Sequence, residues 1–521
     1  MHTSISLDLI ARSRQRNLSS GVVPGNAVYD LVSRVQWDAV QCFFSQPIFR
    51  RSWVIQEIVL SRKITICYGT MRILLSRVHD CALALSESYL RPANSILGDI
   101  GRNREDSKAF SDSLRQLLKL SRLKVTWDQG GIVPFIDILR QFRSAQATDS
   151  RDKVYSFLSL ASEEYRRSII PDYSSSNSVI DVYEHVARCA LHLHDLERLL
   201  PNAGISRRNP SLASWVPDWS YEPREVINGS LFSCSGTWKH GGAHVSPFSS
   251  QNRAKLVIYG AVVDTISSTG PHWTPNGECD LPDLRLAKAS GNVPVAFFLT
   301  DSFIYLAHMA IDKCGRYPNG DSLSAAIWQK LTCGIVGERR ASPSDETHYD
   351  AFLECLEKDW RSLRSALPPD IEGSRVQQEE TDLNARLEDL HLAFGLGPGT
   401  NSSIRPRSNK ESYRSLLEER TLPFFQGLVR YQAGRRTCVT EKFYFAAVPD
   451  EAEEGDLITL FPGHALPYVL RRVQGPDADS NQFRLVGHCY VHGIMDGELV
   501  ETNPAGRTAI SGADTLRLAL V

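Results

Sequence analysis

The sequence contains no two cysteines in a Cys-x-x-Cys spacing, although it has 11 cysteines in 521 residues. This absence excludes a zinc knuckle of that type and a thioredoxin-like redox pair. The cysteines are scattered singly and their number is odd, which is typical of reduced, mostly buried thiols rather than of a disulfide framework. The N-terminal residues 1–8 also lack the apolar core of a signal peptide. We therefore expect a cytoplasmic protein.

The chain also lacks an excess of charge and a long hydrophobic run. Its 58 Lys and Arg residues are balanced by 60 Asp and Glu residues, so the formal net charge is −2. This balance gives no indication of a nucleic-acid partner or of an anionic membrane surface. The most apolar window, residues 293–311, contains Pro294, Asp301 and His308, which favours a buried helix over a membrane span.

The common catalytic and metal-binding motifs are absent as well. There is no His-Glu-x-x-His, no Gly-x-Ser-x-Gly, no Walker loop and no EF-hand run. His488 and His492 share one face of a predicted strand, but four residues separate them by about 13 Å. One ion cannot bridge that distance, so we expect structural histidines and no metal site.

The sequence does contain the composition and periodicity of an ordinary globular protein. It is 42% hydrophobic and 23% charged, and its length predicts about three domains' worth of core. Helical spacing dominates the first half, where the polar segment 91–112 predicts an exposed loop. Alternating apolar residues predict strands at 256–263, 436–440, 443–446, 456–461, 468–471 and 483–487.

One stretch, residues 49–60, combines a helical pattern with polar side chains suited to chemistry. Its apolar residues recur with a period that predicts a mostly buried helix: Trp53, Ile55, Ile58, Val59 and Leu60. Ser52 is expected to cap this helix by accepting a hydrogen bond from an N–H group of the first turn. Trp53 and Glu57 are four residues apart and share one helical face. The following residues 63–69 alternate like a half-buried strand that ends at Gly69.

A second stretch, residues 147–161, predicts a capped helix. Thr148 or Asp149 is expected to accept its free N–H groups, and Asp152 lies near the positive end of the helix dipole. The predicted buried stripe is Val154, Phe157, Leu158 and Ala161. Arg151 and Asp152 form either a buried charge pair that anchors the helix or solvated charges beside the cap. We favour a structural role over a catalytic one, because structural ion pairs outnumber catalytic ones.

A third stretch, residues 214–219, reads Ser-Trp-Val-Pro-Asp-Trp. Two tryptophans, Trp215 and Trp219, around a Pro-Asp pair are typical of a packed corner in which Asp218 fixes the turn. We predict a structural role for these residues and assign them no chemistry.

These stretches resemble parts of the fungal heterokaryon-incompatibility (HET) domain and of the body that follows it. The HET pattern Phe-x-Arg-x-Trp-x-x-Gln-Glu is present in Phe49, Arg51, Trp53, Gln56 and Glu57. Three further segments are similar to the same family: 149–153, 171–173 and 214–219. The segments 455–458, 467–471 and 487–498 resemble the C-terminal module of long HET proteins.

The HET domain is similar in turn to TIR domains, in which the NAD-cleaving glutamate lies four residues after a tryptophan. The resemblance implies that Glu57 orients the nicotinamide ribose of NAD and that Trp53 forms a wall of the pocket. It also implies that the nucleotide lies at the carboxyl ends of parallel strands. The alternative is that Glu57 pairs with Arg50 or Arg51, or caps a neighbouring loop, and has a structural role.

The front of the HET domain is not recognisable in the sequence. In the family, an aromatic-Ser-Tyr-x-Trp-Gly signature precedes this helix by well over a hundred residues. Here 48 residues precede Phe49, and they contain no Trp-Gly pair. The first strands and loops would supply most of the nucleotide contacts, so we expect that this chain does not hydrolyse NAD.

The expected fold is α+β, with a partial TIR-like α/β layer, a helical middle body and a β-rich C-terminal module. The expected domains are a flexible arm at 1–27, the C-terminal part of the HET domain at 28–80, a helical region at 81–212, a mixed α/β region at 213–366, a linker-like segment at 367–410 and the β-rich module at 411–521.

The resemblance implies a function in allorecognition and programmed cell death in a fungus. The expected partners are other proteins of such a pathway, with no nucleic acid and no membrane span. Two alternatives remain open. The first is an active TIR-like hydrolase with NAD as its substrate, and the second is a non-catalytic interaction or scaffold protein.

Overall fold

The computed structural model of the chain describes residue 10 and residues 34–89, 104–205, 209–221, 227–238, 243–245, 255–272, 317–352, most of 420–432, 434–474, 481–500 and 515–521. The chain divides into two compact units. The first comprises Met1–Leu199 and Pro217–Glu222, and the second comprises Leu200–Val216 and Pro223–Val521. The expected arm (apart from Ile10), the linker-like segment 367–410 and the apolar window 293–311 lie outside the described residues.

The first unit is built from helices and one short hairpin. Its α-helices are α1 (Arg34–Phe44), α2 (Ser52–Leu60), α3 (Leu75–Tyr89), α4 (Arg104–Asp128), α5 (Phe135–Gln141), α6 (Asp152–Tyr155), α7 (Glu163–Ser168), α8 (Val179–His192) and α9 (Leu196–Leu199). The strands β1 (Thr65–Tyr68) and β2 (Met71–Leu74) pair antiparallel. Gly69 lies in the turn between them with a φ of +59°. Glycine adopts a positive φ without steric cost, which explains why the predicted strand ends there.

An aromatic cluster holds the segment before α2 in the core. Phe43, Phe44 and Phe49 are buried, and their ring centroids are 5.2–6.1 Å apart. Tyr68 of β1 contacts Phe43 edge to face at 5.3 Å, and Phe110 of α4 contacts Phe44 at 6.0 Å. Phe49 therefore contributes packing to the fold, as aromatic pairs of this geometry do.

The prediction of an exposed loop at 91–112 is wrong for its last part, because α4 begins at Arg104. Phe110 and Leu114 are buried on one side of this helix. Asp112 and Arg115 form an ion pair at 3.0 Å on another side. The end of the segment thus belongs to an amphipathic helix, which composition alone does not distinguish from a loop.

The helix predicted at 147–161 is shorter than expected, but its buried stripe is confirmed. The helix α6 has a single turn, and the 3-10 helix Leu158–Leu160 follows it. The side chains that the spacing assigned to the core are all buried: Val154, Phe157, Leu158 and Ala161.

The second unit contains α10 (Leu323–Leu331) and most of the strands. The strands are β3 (Ala243–Val245), β4 (Leu256–His272), β5 (Ile335–Val336), β6 (Arg339–Arg340), β7 (Arg435–Thr440), β8 (Phe445–Pro449), β9 (Leu457–Leu460), β10 (Tyr468–Arg472), β11 (Gln482–His488), β12 (Tyr490–Val491) and β13 (Leu516–Leu520). β5 and β6 form a separate hairpin, and the other nine strands belong to one sheet.

Five of these strands close into a ring. β4 pairs with β9, β9 with β10, β10 with β11, β11 with β13, and β13 returns to β4. These pairings are antiparallel except that of β11 with β13, which is parallel. β4 is long enough to pair with different strands along its length. Residues 256–260 pair with β13, and residues 261–265 pair with β9. Its last part, from Ile266, pairs with β7, and the sheet continues through β8 to β12.

The α+β fold class is confirmed, as are the strands predicted between 436 and 487. The strand predicted at 443–446 begins at Phe445, because Phe443 has a φ of +72° and belongs to the preceding turn. Ile458, Val469 and Val486 belong to one buried apolar cluster contributed by β9, β10 and β11. In the part of the chain that the structure describes, no helix combines the length and the apolar character needed to span a membrane.

Candidate functional site

The helix α2 has one buried face and one open face. Ser52, Ile55, Ile58 and Val59 are buried. The other face carries Trp53 and Gln56, which are half-buried, and Glu57 and Leu60, which are exposed. These four residues follow the i, i+3, i+4, i+7 spacing that places side chains side by side along a helix. The set Trp53, Gln56, Glu57 and Leu60 is called the open face below.

The start of α2 corrects the expected role of Ser52. Arg51 occupies the N-cap position without a side-chain cap, and Ser52 is the first helical residue. The backbone N–H of Ser52 donates to the carbonyl oxygen of Gln146 at 2.9 Å, and the N–H of Gln146 donates to Arg50 at 2.6 Å. Ser52 therefore lies inside the helix, one position past the N-cap, and its hydroxyl has no hydrogen-bond partner among the described residues. The prediction of a Ser52 cap is wrong for that reason.

Glu57 is exposed, and its carboxylate makes no hydrogen bond or ion pair with any residue that the structure describes. Its backbone carbonyl accepts from the Ser61 hydroxyl at 2.6 Å. The alternative pairing with Arg50 or Arg51 is not observed, since Arg50 donates to the carbonyl of Ser45 at 3.2 Å and the Arg51 side chain is exposed. The carboxylate is therefore available to a ligand or a partner.

Three buried polar atoms near the start of α2 have no hydrogen-bond partner among the described residues. They are Arg50 Nε, Ser52 Oγ and Gln56 Oε1. Buried polar groups are nearly always paired in proteins, by protein groups or by ordered water, so these atoms are open to a further hydrogen-bond partner. Gln56 was expected to be structural, and the periodicity of the helix carried no signal of this unpaired oxygen.

The strands near α2 do not form a parallel sheet within the described part of the first unit. β1 and β2 make an antiparallel hairpin, and the parallel pairing there is an isolated bridge between Arg51 and Gln146. The expected nucleotide position at the carboxyl ends of parallel strands has no counterpart among these residues.

Arg151 pairs with Asp149 and not with Asp152, which corrects the expected charge pair. Its Nε and its second terminal nitrogen donate to the Asp149 carboxylate at 2.8–3.2 Å. Its remaining terminal nitrogen donates to the backbone carbonyls of Ser174 and Asn177 at 3.0 and 2.9 Å. These hydrogen bonds lower the pKa of Asp149. The pair forms because the guanidinium can reach back along the turn while Asp152 points to another partner.

Asp152 accepts a hydrogen bond from the Tyr173 hydroxyl at 2.5 Å. The Arg151 guanidinium lies over the ring of Tyr173 at 5.2 Å. Burial and the adjacent Asp152 raise the pKa of Tyr173. The expected cap by Thr148 or Asp149 is wrong, because Arg151 occupies the N-cap position without a side-chain cap, and the Asp149 carboxylate accepts instead from the backbone N–H of Arg151 at 2.9 Å in the turn before the helix. Together these contacts fasten the loop at 171–178 onto the start of α6, which is a structural arrangement.

The residues 214–219 are shared between the two units. In the second unit, Trp215 is fully buried, and Ser214 donates its N–H to the Val521 carbonyl at 3.0 Å. The Ser214 hydroxyl also donates to Val521 and accepts from the N–H of Leu485 at 2.9 Å. Ser214 therefore ties this segment to β11 and to the residue that follows β13.

In the first unit, Asp218 and Trp219 form the turn that the sequence predicts. The Asp218 carboxylate accepts from the N–H of Ser220 at 2.9 Å, and the Asp218 carbonyl accepts from Arg143 Nε at 3.1 Å. The guanidinium of Arg143 lies 5.1 Å above the Trp219 ring. These buried contacts are structural.

The interior of the second unit holds polar groups that the sequence analysis did not single out. Lys330 is fully buried in α10 and donates to Gln432 Oε1 at 3.1 Å and to the Thr437 hydroxyl. Burial lowers the pKa of Lys330 to about 8. The sequence spacing could have indicated that Lys330 is buried. It follows Ala326 and Ile327 by four and three residues, so it lies on the same buried face of the helix.

His488 and His492 have separate partners. Arg435 donates to His488 Nε2 at 2.5 Å and to the His488 carbonyl at 3.0 Å. His492 Nε2 lies 2.9 Å from Asp321. Within the described ranges, no group of three His, Cys, Asp or Glu side chains is placed to hold a metal ion.

Two comparisons identify relatives of the chain. Residues 410–507 match the Het-6 β-barrel domain. The strands β7 to β12 lie in this range, whereas β4 and β13, which complete the ring, lie outside it. The chain is also similar to heterokaryon incompatibility protein 6, OR allele, of Neurospora crassa, with 25% identity over 386 residues. The alignment covers 68% of this chain and 49% of the relative, so the chain spans about half the length of the curated relative it matches.

No solved structure matches the chain. The barrel domain and the similarity to the Neurospora protein nevertheless agree with the motifs around α2, α6 and residues 214–219. The chain therefore contains a Het-6 β-barrel domain at residues 410–507 and is similar to a fungal heterokaryon-incompatibility protein.

Proposed function

We propose that the chain acts in fungal allorecognition and programmed cell death, and that it does so by contacting another protein of the pathway through the open face of α2. The barrel domain and the relative's name, heterokaryon incompatibility protein 6, support the pathway. The eight described cysteines are all free thiols, which supports an action in the reducing cytoplasm.

The observation that carries the molecular part is the exposure of Glu57 and Leu60. A carboxylate that stabilises an oxocarbenium ion acts in a site from which water is excluded. Glu57 is exposed instead, and the Leu60 beside it is 47% exposed. An apolar side chain next to a half-buried indole and a charged rim is the composition of a protein contact surface.

Paired substitutions in a fungal host test this proposal. Hyphae that express the chain are fused with hyphae that do not, and viable fusion cells are counted. Expression is expected to reduce viability sharply, and Leu60→Arg is expected to restore it because a charged side chain disrupts an apolar contact. Leu74→Arg is the matched control, since Leu74 on β2 is 49% exposed. Glu57→Gln should retain killing.

Each outcome of the fusion experiment has one meaning. Full viability with the wild-type chain contradicts the pathway. Killing by Leu60→Arg at the wild-type level contradicts the contact through the open face, and loss of killing in Glu57→Gln points to a carboxylate-dependent reaction.

NAD cleavage is the second candidate function, and one observation favours it. The unpaired carboxylate of Glu57 lies one helical turn after Trp53, the offset that the TIR resemblance requires. Purified chain is incubated with NAD, and the release of nicotinamide is followed. We expect no release above the buffer control. Release that is lost in Glu57→Ala but kept in Glu163→Ala, an exposed glutamate on α7, would replace the contact function with catalysis.

A further inference from the structure

His492 is the meeting point of several hydrogen bonds in the second unit. Its Nε2 lies 2.9 Å from Asp321 Oδ2, and its Nδ1 lies 3.2 Å from the Tyr490 hydroxyl. Its carbonyl oxygen accepts from the Tyr317 hydroxyl at 3.0 Å, and that hydroxyl accepts from the N–H of Phe445 at 2.8 Å. Tyr317 and Asp321 lie near the two ends of the segment 317–322. This segment is thereby fastened to the strands β8 and β12.

The segment 317–322 is shaped to fit this position. Asn319 donates to the Asp321 carboxylate at 2.8 Å, and the N–H of Asp321 donates to Asn319 at 3.0 Å. Gly493 follows His492, and a Cβ atom there would lie 3.2 Å from Asn319 Cβ. Ser322 then caps α10 by accepting from the N–H of Ala325 at 3.0 Å. Loosening of this segment would therefore reach the start of α10.

The partners of His492 determine which ring nitrogen carries the proton. A carboxylate only accepts, so Nε2–H donates to Asp321 and Nδ1 accepts from the Tyr490 O–H. His492 and Tyr490 are 4% and 1% exposed. A proton added to Nδ1 would displace the hydroxyl proton of Tyr490, which has no other hydrogen-bond partner among the described residues. Protonation of the ring therefore reverses this hydrogen bond and leaves the buried O–H group of Tyr490 without an acceptor among the described residues.

We propose that His492 is a pH-sensitive latch that holds the segment 317–322 against the sheet at neutral pH and releases it on acidification. The charged groups that face the ring oppose each other, because Asp321 favours the imidazolium form and Arg340 disfavours it. The phenols of Tyr317 and Tyr490 face it without charge.

The sign of the pH dependence follows from burial. Burial lowers the pKa of His492 below 6.5 in the latched state. In the released state the ring is hydrated and its pKa returns to about 6.5. The released state therefore binds more protons below that pH, and the ratio of latched to released molecules falls by up to about tenfold per pH unit until the latched ring itself titrates.

Hydrogen–deuterium exchange of the full chain tests the latch. Protection of the amides at 317–331 is compared between about pH 7.5 and pH 5 after correction for intrinsic exchange. We expect this protection to fall with pH while that of α5 in the first unit stays constant. His492→Gln keeps a donor and an acceptor without titrating, so its protection should not depend on pH. His185→Gln, on α8, should behave like the wild type.

The proposal fails if the wild-type protection at 317–331 keeps a constant ratio to that of α5 across this range, or if His492→Gln retains the wild-type pH dependence. Asp321→Asn supplies a second test should the glutamine variant not fold. Removing the carboxylate takes away the charge that favours imidazolium, so the loss of protection near pH 5 should be deeper than in the wild type. An equal or shallower loss would overturn the latch.

Discussion

Arg151 and Glu57 both belong to motifs that resemble the HET family, but their side chains differ in the hydrogen bonds that they make. The Arg151 guanidinium is bonded to a carboxylate and to two backbone carbonyls. The Glu57 side chain has no partner among the described residues. A side chain whose hydrogen bonds are satisfied within the fold has little capacity left for a ligand. Arg151 is therefore a structural residue, and Glu57 is the candidate for contact or chemistry.

Arg151→Lys should loosen the loop at 171–178. A lysine ammonium is a compact charge and cannot bond Asp149 and both loop carbonyls together. We expect faster limited proteolysis within 169–178 and a lower melting temperature. Arg166→Lys on the exposed face of α7 is the control and should change neither. Equal proteolysis of Arg151→Lys and the wild type would show that the guanidinium is not the fastening.

Ser214→Ala should destabilise the second unit. The hydroxyl is buried and bonds both Leu485 and Val521, so its removal leaves a buried N–H group without a partner. The expected loss is roughly 1–3 kcal/mol in the free energy of unfolding, measured by chemical denaturation. Ser211→Ala, three residues earlier, should change stability by less than about 0.5 kcal/mol. A loss no larger than that control would refute the role of Ser214.

At the scale of elements, α10 joins an apolar helix face to a buried charge. Lys330 lies in the segment whose neighbours Ile327, Trp328 and Leu331 are buried. No carboxylate of the described residues bonds its ammonium, whose acceptors there are Gln432 and Thr437. Gln432 in turn donates to the carbonyl of Leu331 at 2.6 Å. The helix end is thus held by polar contacts that carry an electrostatic cost.

Lys330→Met should raise the free energy of unfolding at neutral pH. It should also remove the contribution of Lys330 to the pH dependence of that free energy. The pKa of Lys330 falls from 10.5 to about 8 on folding, so the unfolded chain binds more protons between these values. This group therefore destabilises the fold fully below about pH 8, and the penalty fades as the pH rises toward 10.5. The shift corresponds to a cost on the order of 3 kcal/mol.

The difference between variant and wild type is the quantity to measure for Lys330. The charged or titratable neighbours of the ammonium are Arg435, Cys333 and Cys438. Burial raises the pKa of Cys333 from 9 to about 11. Above pH 9 the unfolded chain therefore loses this thiol proton first, and the free energy of unfolding falls in both proteins. Denaturation at pH 7 and pH 9 should show a smaller gain for Lys330→Met at the higher pH. Lys255→Met is the control. A gain that grows with pH would contradict a buried, destabilising ammonium.

At the scale of the molecule, the barrel of the second unit is assembled from distant parts of the chain. β4 and β13 contribute two of the five strands of the ring, and both lie outside the residues 410–507 that match the barrel family. β13 pairs with β4 on one side and with β11 on the other. The folded barrel therefore depends on residues that the matched segment does not contain.

Deletion of residues 515–521 should open the ring. β4 and β11 would each lose a neighbour, and the buried Leu518 and Leu520 would be removed from the core. We expect a large loss of amide protection in β9 to β11, measured by hydrogen exchange, with α4 of the first unit as an internal reference. Leu516→Lys is the control because Leu516 is 48% exposed. Unchanged protection in the truncated chain would show that the ring does not need β13.

Much of the fold follows from local patterns in the sequence. The period of α2, the alternation of the C-terminal strands, the buried stripe of 154–161 and the turn at Gly69 each reflect interactions between near neighbours in the chain. The same holds for the motifs at Phe49–Glu57 and 214–219, whose residue types and spacing indicate the family. The helix that begins at Arg104 does not follow from the local pattern, because the polar side of an amphipathic helix and a loop have similar compositions.

The sequence by itself determined the fold class, most described helices and strands, and the residues worth examining, because these depend on short-range periodicity. Tertiary structure decided the partners: that the Gln146 carbonyl accepts from the first N–H of α2, that Arg151 bonds Asp149, and that β4 and β13 close the barrel. These pairings join groups that compete for the same hydrogen bonds, and β13 lies 244 residues after the end of β4. Only the packed chain fixes which of the competing partners lies within reach.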